Sequence, residues 1–483
     1  MKVIKHLYRR LPILSVLFLE SYSSEAAFAP AKPSVESKVC ASCHKMESPS
    51  VYEQWGSSKH FRANVGCFEC HHANEDDNDA FEHYGKFIST IVSPRDCARC
   101  HEHEVKEFNE SHHAKAGRIL GSLDNTLAEV VEGNNAFITP GFPHGNSAAA
   151  VNGCWQCHGS EVQVLPSGRL DPATWPNTGI GRINPDGSEG SCTACHSRHE
   201  FSAAQARTPD TCGKCHMGPD HPQMEIFNES KHGIAYYANI AKMALDNEKW
   251  VVGEDYNASA TCATCHMSAT KDQAVTHDVG LRISWNNRPA ISVRPEIADA
   301  KLGLPGKDIP WQQRRNNMIN VCINCHNKNF VDGFYTQYDG LIELYHDKFA
   351  KPGLALYNAA QPLLRKPKFS NKIDFIWFEL WHHEGRRARH GASMMGPDYT
   401  HWHGTYEIAR NFYTEYIPEL RELAEHNQHS PDSDRKDAAE ELNQLIDKTL
   451  NSDNHKWYLN KMDPAEKARR EAALKEFQGR YTK

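Results

Sequence analysis

Apolar and polar positions alternate in two different ways along this chain. From about residue 331 onward apolar residues recur at spacings of three and four. Tyr406, Ala409, Tyr413, Ile417, Leu420 and Ala424 form one stripe, of the kind a helix buries against its neighbours. Asp463-Pro464-Ala465-Glu466 has the order of an N-cap, a proline in the first turn and a capping glutamate, and predicts a further helix start. The charged faces of these last helices read as solvated surface. Upstream, glycine and proline interrupt the pattern, and Pro166 to Gly190 and Arg288 to Pro310 read as loops. The class expected is mainly α, with long loops upstream and a C-terminal helical bundle.

The N-terminus carries a separate apolar run. Leu11 to Leu19 follows Lys2, Lys5, Arg9 and Arg10 and precedes small residues around Ser24 to Ala27, the three parts of a secretory signal. The run is too short to span a bilayer. No other segment is apolar enough to cross one, so no transmembrane segment is expected in the mature chain. The expected division is a signal peptide over 1–27, a second region over 28–330 and a mainly helical region over 331–483.

Cysteine explains what the second region is built around. All sixteen cysteines fall in eight Cys-x-x-Cys-His motifs with none left over: Cys40/Cys43/His44, Cys67/Cys70/His71, Cys97/Cys100/His101, Cys154/Cys157/His158, Cys192/Cys195/His196, Cys212/Cys215/His216, Cys262/Cys265/His266 and Cys322/Cys325/His326. Each reads as a c-type haem attachment site, the two thiols bonding the porphyrin and the histidine reaching the iron. Zinc ribbons do not demand a histidine after the second cysteine, and disulfide scaffolds are small domains with varied spacing. The motifs therefore predict eight c-type haems and a multihaem cytochrome c with a haem-packed core. A hydrophobic fraction of 39% is low for a globular chain of this length and fits an interior that is largely porphyrin. Such packing favours one or two intimate lobes over separable modules. Haem attachment takes place outside the cytoplasm, which independently requires export to a periplasm or an equivalent organelle lumen. The net charge of −7, to which propionates add, argues against nucleic acid and suits a small basic electron carrier.

A second repeat concerns the other side of each iron. Trp55-x-x-Ser58-x-His60, Phe108-x-x-Ser111-x-His113 and Phe227-x-x-Ser230-x-His232 share one pattern, each histidine lying twelve to sixteen residues past a motif histidine. These three are the leading candidates for distal ligands. His72 directly follows a motif histidine, cannot reach the far side of the same iron, and would serve another haem; His199 is similar in kind. His83, His277 and His382 complete the set. For any one of them, a hydrogen-bonded surface or core histidine is the plainer account. The 29 histidines are enough to ligate every haem twice, so counting does not reveal an open iron.

Catalysis needs an iron with a free position and groups that move protons. Two segments are richer than wiring requires. His216-Met-Gly-Pro-Asp220-His221-Pro222 sets a carboxylate beside an imidazole that titrates near neutral pH. Read locally, a turn in which Asp220 caps the following segment is the simpler account, since Pro219 and Pro222 favour turns. Arg389 to Gly404 attaches no haem, yet it gathers His390, Met394, Met395, Tyr399, His401, Trp402 and His403 among glycines. Methionine and aromatic residues more often pack than react; three histidines and a tyrosine in a glycine-punctuated loop fit a core less well.

With Cys-Trp-x-Cys-His-Gly at 154–159, Gly-Pro-Asp-His at 218–221 and Met-Met-Gly-x-Asp-Tyr-Thr at 394–400, the chain resembles the hydroxylamine oxidoreductase family, whose members include hydrazine dehydrogenases. The resemblance spans nearly the whole mature chain. It implies a catalytic fourth haem without a distal protein ligand, here on Cys154, Cys157 and His158. Asp220 and His221 match the pair that handles substrate protons. Tyr399 matches a tyrosine that a neighbouring subunit of a homotrimer bonds to that porphyrin. Reductive relatives lack this tyrosine, so Tyr399 favours oxidation of hydroxylamine, to nitric oxide or nitrite, or of hydrazine, to dinitrogen. The seven other haems would pass electrons to a soluble cytochrome. The competing expectations are a nitrite or hydroxylamine reductase and a non-catalytic electron conduit, the latter requiring every iron to be six-coordinate.

Overall fold

The computed structural model describes residues 32–119, 153–301, 303 and 309–482. The expected signal peptide lies outside the described residues. The architecture is mainly α, as expected: helices joined by long loops up to His326, then nearly continuous helix to the C-terminus. One two-stranded antiparallel sheet interrupts them, Phe81–His83 against Lys86–Ile88, with Phe81 opposite Ile88. Among the described residues no helix is long and apolar enough to cross a membrane.

The C-terminal bundle forms because its helices carry a continuous apolar stripe. Tyr413, Ile417, Leu420 and Ala424 all sink into one cluster with Leu356, Trp377, Phe412 and Leu442. Tyr406, at the start of the stripe, stays 48% exposed. The stripe does not run on a uniform helix. π-helical turns at His401–Tyr406 and Phe412–Tyr416 insert an extra residue each, and two more occur at His346–Ala350 and Glu379–Glu384. Such bulges are costly and gather at functional positions. The helix Pro464–Gly479 starts as expected, Asp463 accepting hydrogen bonds from the amides of Ala465 and Glu466. Glu466 does not complete the cap; its carboxylate goes to Lys456 at 3.5 Å and Arg470 at 2.5 Å instead.

The loop expected over Arg288 to Pro310 needs correction, since Pro295–Lys301 is helical. Pro295 supplies the preset φ of a first helical residue and Glu296 an acidic first turn. The stretch from Pro166 to Gly190 contains no helix. The helix Lys328–Tyr345 runs across the change of pattern at 330/331.

Candidate functional site

Each motif occupies a tight turn of helix, complete in Cys67–His71, Cys154–His158 and Cys262–His266. Three residues on, the second thiol returns to the same face as the first, which a porphyrin bonded at two points requires. An iron held between two imidazoles with metal–nitrogen bonds of about 2 Å spaces the ring centroids about 6 Å apart. Five motif histidines face a single second imidazole at this spacing: His44 and His83 at 6.3 Å, His71 and His199 at 6.4 Å, His101 and His60 at 6.2 Å, His196 and His277 at 6.4 Å, and His326 and His232 at 6.0 Å. The gap matches one metal atom. His71 Nδ1 bonds the carbonyl of Ser89 at 2.8 Å and His266 Nδ1 that of Val279 at 3.3 Å, leaving Nε2 with its lone pair. Burial pulls His196 down to about 4 and His113 to about 3, so both stand neutral and able to ligate. The residues therefore fit c-type haems.

Without the porphyrin, Cys43, Cys100 and Cys325 are the more accessible thiols of their motifs, and Cys40, Cys97 and Cys322 are partly covered. The imidazoles facing His44, His101 and His326 suit all three motifs to haem.

The repeat aromatic-x-x-Ser-x-His serves partners far along the chain. His60 faces His101, not the nearby His44, and His232 faces His326, not His216. In each case the serine caps the short helix on which the histidine sits, Ser58 for Phe61 and Ser230 for Gly233. His113 lies 6.0 Å from His216, and His221 approaches the same ring at 6.1 Å. His72 packs edge-on against Phe68. His382 stacks on Phe378 at 4.2 Å, and burial pulls it down to about 2.

The nearness of thiols from different motifs orders the motifs along a path. Cys97 neighbours Cys192, Cys212 neighbours Cys262, and Cys157 neighbours Cys215. Cys40 lies in the field of Cys67, Cys70 in that of Cys97, Cys195 in that of Cys212, and Cys265 in that of Cys322. The motifs therefore follow one another as first, second, third, fifth, sixth, seventh and eighth, with the fourth branching off the sixth.

That fourth motif is surrounded differently. Its turn is locked by glycine: a Cβ on Gly159, at φ +76°, would meet the Arg182 backbone at 2.3 Å. Among the described residues no imidazole lies at the paired spacing from His158 or His266. Burial and the neighbouring His221 lower the basicity of His158, while Asp220 acts in the opposite sense. Asp220 is the hub of this pocket. Arg386 Nη1 donates to its Oδ2 at 3.2 Å, His221 Nε2 lies 3.6 Å from Oδ1 and His382 Nδ1 3.9 Å from Oδ2. The segment 218–222 thus does more than close a turn.

Tyr399 sits apart, on the short helix Pro397–Thr400, with its ring 5.4 Å from His403 and its amide donating to Glu229 Oε1 at 3.2 Å. Burial raises its phenol above the usual value, with Glu225 adding to the effect. Glycines bring this segment close: a Cβ on Gly396 would lie 2.6 Å from Glu229 Oε1, and one on Gly391 2.5 Å from the Thr400 amide. Met395, Trp402 and Tyr406 around it are about half exposed.

A family description, "Seven times multi-haem cytochrome CxxCH", matches residues 63–351, more than half of the chain and the last seven motifs. The chain belongs to this multihaem cytochrome family. The cytochrome is 26% identical over 300 residues to a probable nitrite reductase-hydroxylamine oxidoreductase fusion protein of Kuenenia stuttgartiensis, covering 49% of this chain and 34% of the relative. It thus spans about a third of the length of that curated relative. A solved hypothetical multiheme protein superposes with a TM-score of 0.70 at 27% identity, covering 84% of this chain and 98% of the other. A reducing HAO-like protein complex of Kuenenia stuttgartiensis superposes with a TM-score of 0.52 at 19% identity, covering 86% of this chain and 87% of the other, and shows the shared fold. The resemblance to hydroxylamine-oxidoreductase-like proteins read from the motifs stands.

Sequence reasoning did not single out Arg386, Arg288 or Glu229 in this cytochrome, and left His390 unassigned within its segment. Desolvation and the nearby Arg389, Arg386, His221 and His216 hold His390 well below its ordinary basicity, which places it beside the sixth motif. One signal was available: His382, Arg386 and His390 recur every fourth residue and so share a helical face. Glu229, remote in sequence from everything it orders, left no signal.

Proposed function

We propose that this cytochrome carries eight c-type haems and oxidises hydroxylamine, to nitric oxide or nitrite, or hydrazine, to dinitrogen, at the haem on Cys154, Cys157 and His158. The haems would supply one open iron for the nitrogen atom and a file of one-electron carriers beyond it. The observation that carries this reading is the setting of His158, which has the Asp220/His221 pair before it where five other motif histidines have a single imidazole. Asp220, oriented by Arg386, and His221 take the protons that leave the substrate as it is oxidised. His60, His83, His199, His232 and His277 are the distal ligands of the five paired haems, and His113 serves the sixth or seventh. His72 and His382 remain weaker candidates for such a role. Electrons pass from the haem of the fourth motif to that of the sixth and out through the haems of neighbouring motifs to a soluble cytochrome, in the compartment to which the signal peptide directs the chain.

Tyr399 of a neighbouring copy in a homotrimer forms the crosslink to the fourth porphyrin, a reading supported by the resemblance and by the half-exposed Met395, Trp402 and Tyr406 beside it. The reductive alternative draws on the names of the Kuenenia relatives, a probable nitrite reductase fusion and a reducing complex. Arg386 in the pocket also suits an anion such as nitrite. The test is a resting-state spectrum with assays in both directions. A high-spin component and oxidation of hydroxylamine or hydrazine are expected, both altered in Tyr399→Phe. Eight low-spin six-coordinate irons would leave only a conduit, and reduction alone would reverse the direction.

A further inference from the structure

We propose that Arg288 is a positioning residue that ties the Asp220 pocket to the axial histidine His113 through one hydrogen-bonded frame, an inference that rests on Asp220 being the proton acceptor. Two arms leave Arg288. Its carbonyl accepts from Arg386 Nε at 2.9 Å and Nη2 at 2.7 Å, and Arg386 Nη1 reaches Asp220. Its guanidinium donates from Nη2 to His112 Nδ1 at 3.1 Å. His112 then holds its proton on Nε2 and donates it to Asp299 Oδ1 at 2.5 Å, which fixes both tautomer and ring plane. Asp299 also binds Arg314, which donates to the carbonyl of Gly280 at 2.9 Å; the carbonyl of the preceding Val279 orients His266. His113, the residue after His112, faces His216 at 6.0 Å.

Arg386, Asp299 and Arg314 are all buried, so this frame has little water to substitute for a lost partner. Outer contacts of this kind change the behaviour of a metal site by roughly 10- to 100-fold when removed. One frame therefore sets the substrate-side carboxylate and the side chain facing the electron-accepting haem together. The field of Arg288 also reaches His158.

The test uses the haem-loaded full chain with four variants. Arg288→Ala and His112→Leu should each lower kcat roughly 10-fold or more, with KM little changed, and shift the g-values of one low-spin signal. His112→Gln accepts from Arg288 through Oε1 and donates to Asp299 through Nε2, and should restore both readouts. Asp299→Asn should fall between. If Arg288→Ala yields no folded protein, the Leu and Gln variants at 112 decide. Low-spin signals in His112→Leu that match the wild type overturn the proposal, as does equal damage in Leu and Gln, which would show that bulk and not hydrogen bonding matters. A wild type inactive towards nitrogen hydrides would sink the functional reading alone, and the g-values would still judge the frame.

Discussion

The two ends of this cytochrome hold their shape by different means. Between Tyr345 and Leu450 all the buried apolar residues but Phe369 and Phe378 form one continuous cluster. Between 32 and 119 the buried apolar residues, among them Trp55, Ile91 and Val105, belong to none of the three core clusters. The first kind of region can be stable through packing alone. The second places thiols and paired imidazoles where a core would be, so its folding free energy includes binding of the group those residues hold. The difference teaches that a low apolar fraction need not mean a weak fold, provided that ligation takes the place of side-chain packing.

The largest effect should come from withholding haem. Made without haem attachment, the chain is expected to lose residues 32–326 to limited proteolysis while a helical fragment from about 331 onward survives; simultaneous loss of both would break the comparison. A smaller effect is expected within the bundle. Leu420 is fully buried, and Leu420→Ala should cost about 2–5 kcal/mol in denaturant unfolding followed by far-ultraviolet dichroism, with the Soret band unchanged. The smallest sharpens the account of the bundle by pH. His455 stacks on Phe412 and bonds the Tyr413 hydroxyl through Nδ1 at 2.8 Å, and burial pulls it down to about 4. The unfolded chain binds this proton near pH 6.5 and the folded one does not. Stability should therefore fall as pH drops from about 6.5 towards 4, with the loss complete below that. His455→Phe should flatten the slope in this window; an unchanged slope would remove His455 as its source.

Much of this was readable beforehand, but unevenly. The eight motifs were plain because covalent attachment demands two thiols and a histidine at one spacing. The bundle was plain because a helix buries every third or fourth residue, as Leu420 and Ala424 do. The Ser-x-His repeat marked histidines that sit on short capped helices but left their pairing open, since His60 and His232 each face a later motif far along the chain. Local patterning also missed the helix Pro295–Lys301, which is only two turns long and lies among prolines and glycines.

By itself, then, the order of residues determined where haem is attached, which segments are helical and that Asp220, His221 and Tyr399 were worth attention. Only the tertiary structure decided which imidazole faces which, that Asp220 answers to Arg386, and that the fourth motif borders the sixth. The reason is range. Covalent spacing and helical periodicity act over a few residues and leave a local imprint. Arg386 and Asp220 meet across 166 residues, and an encounter of that kind exists only once the chain has folded.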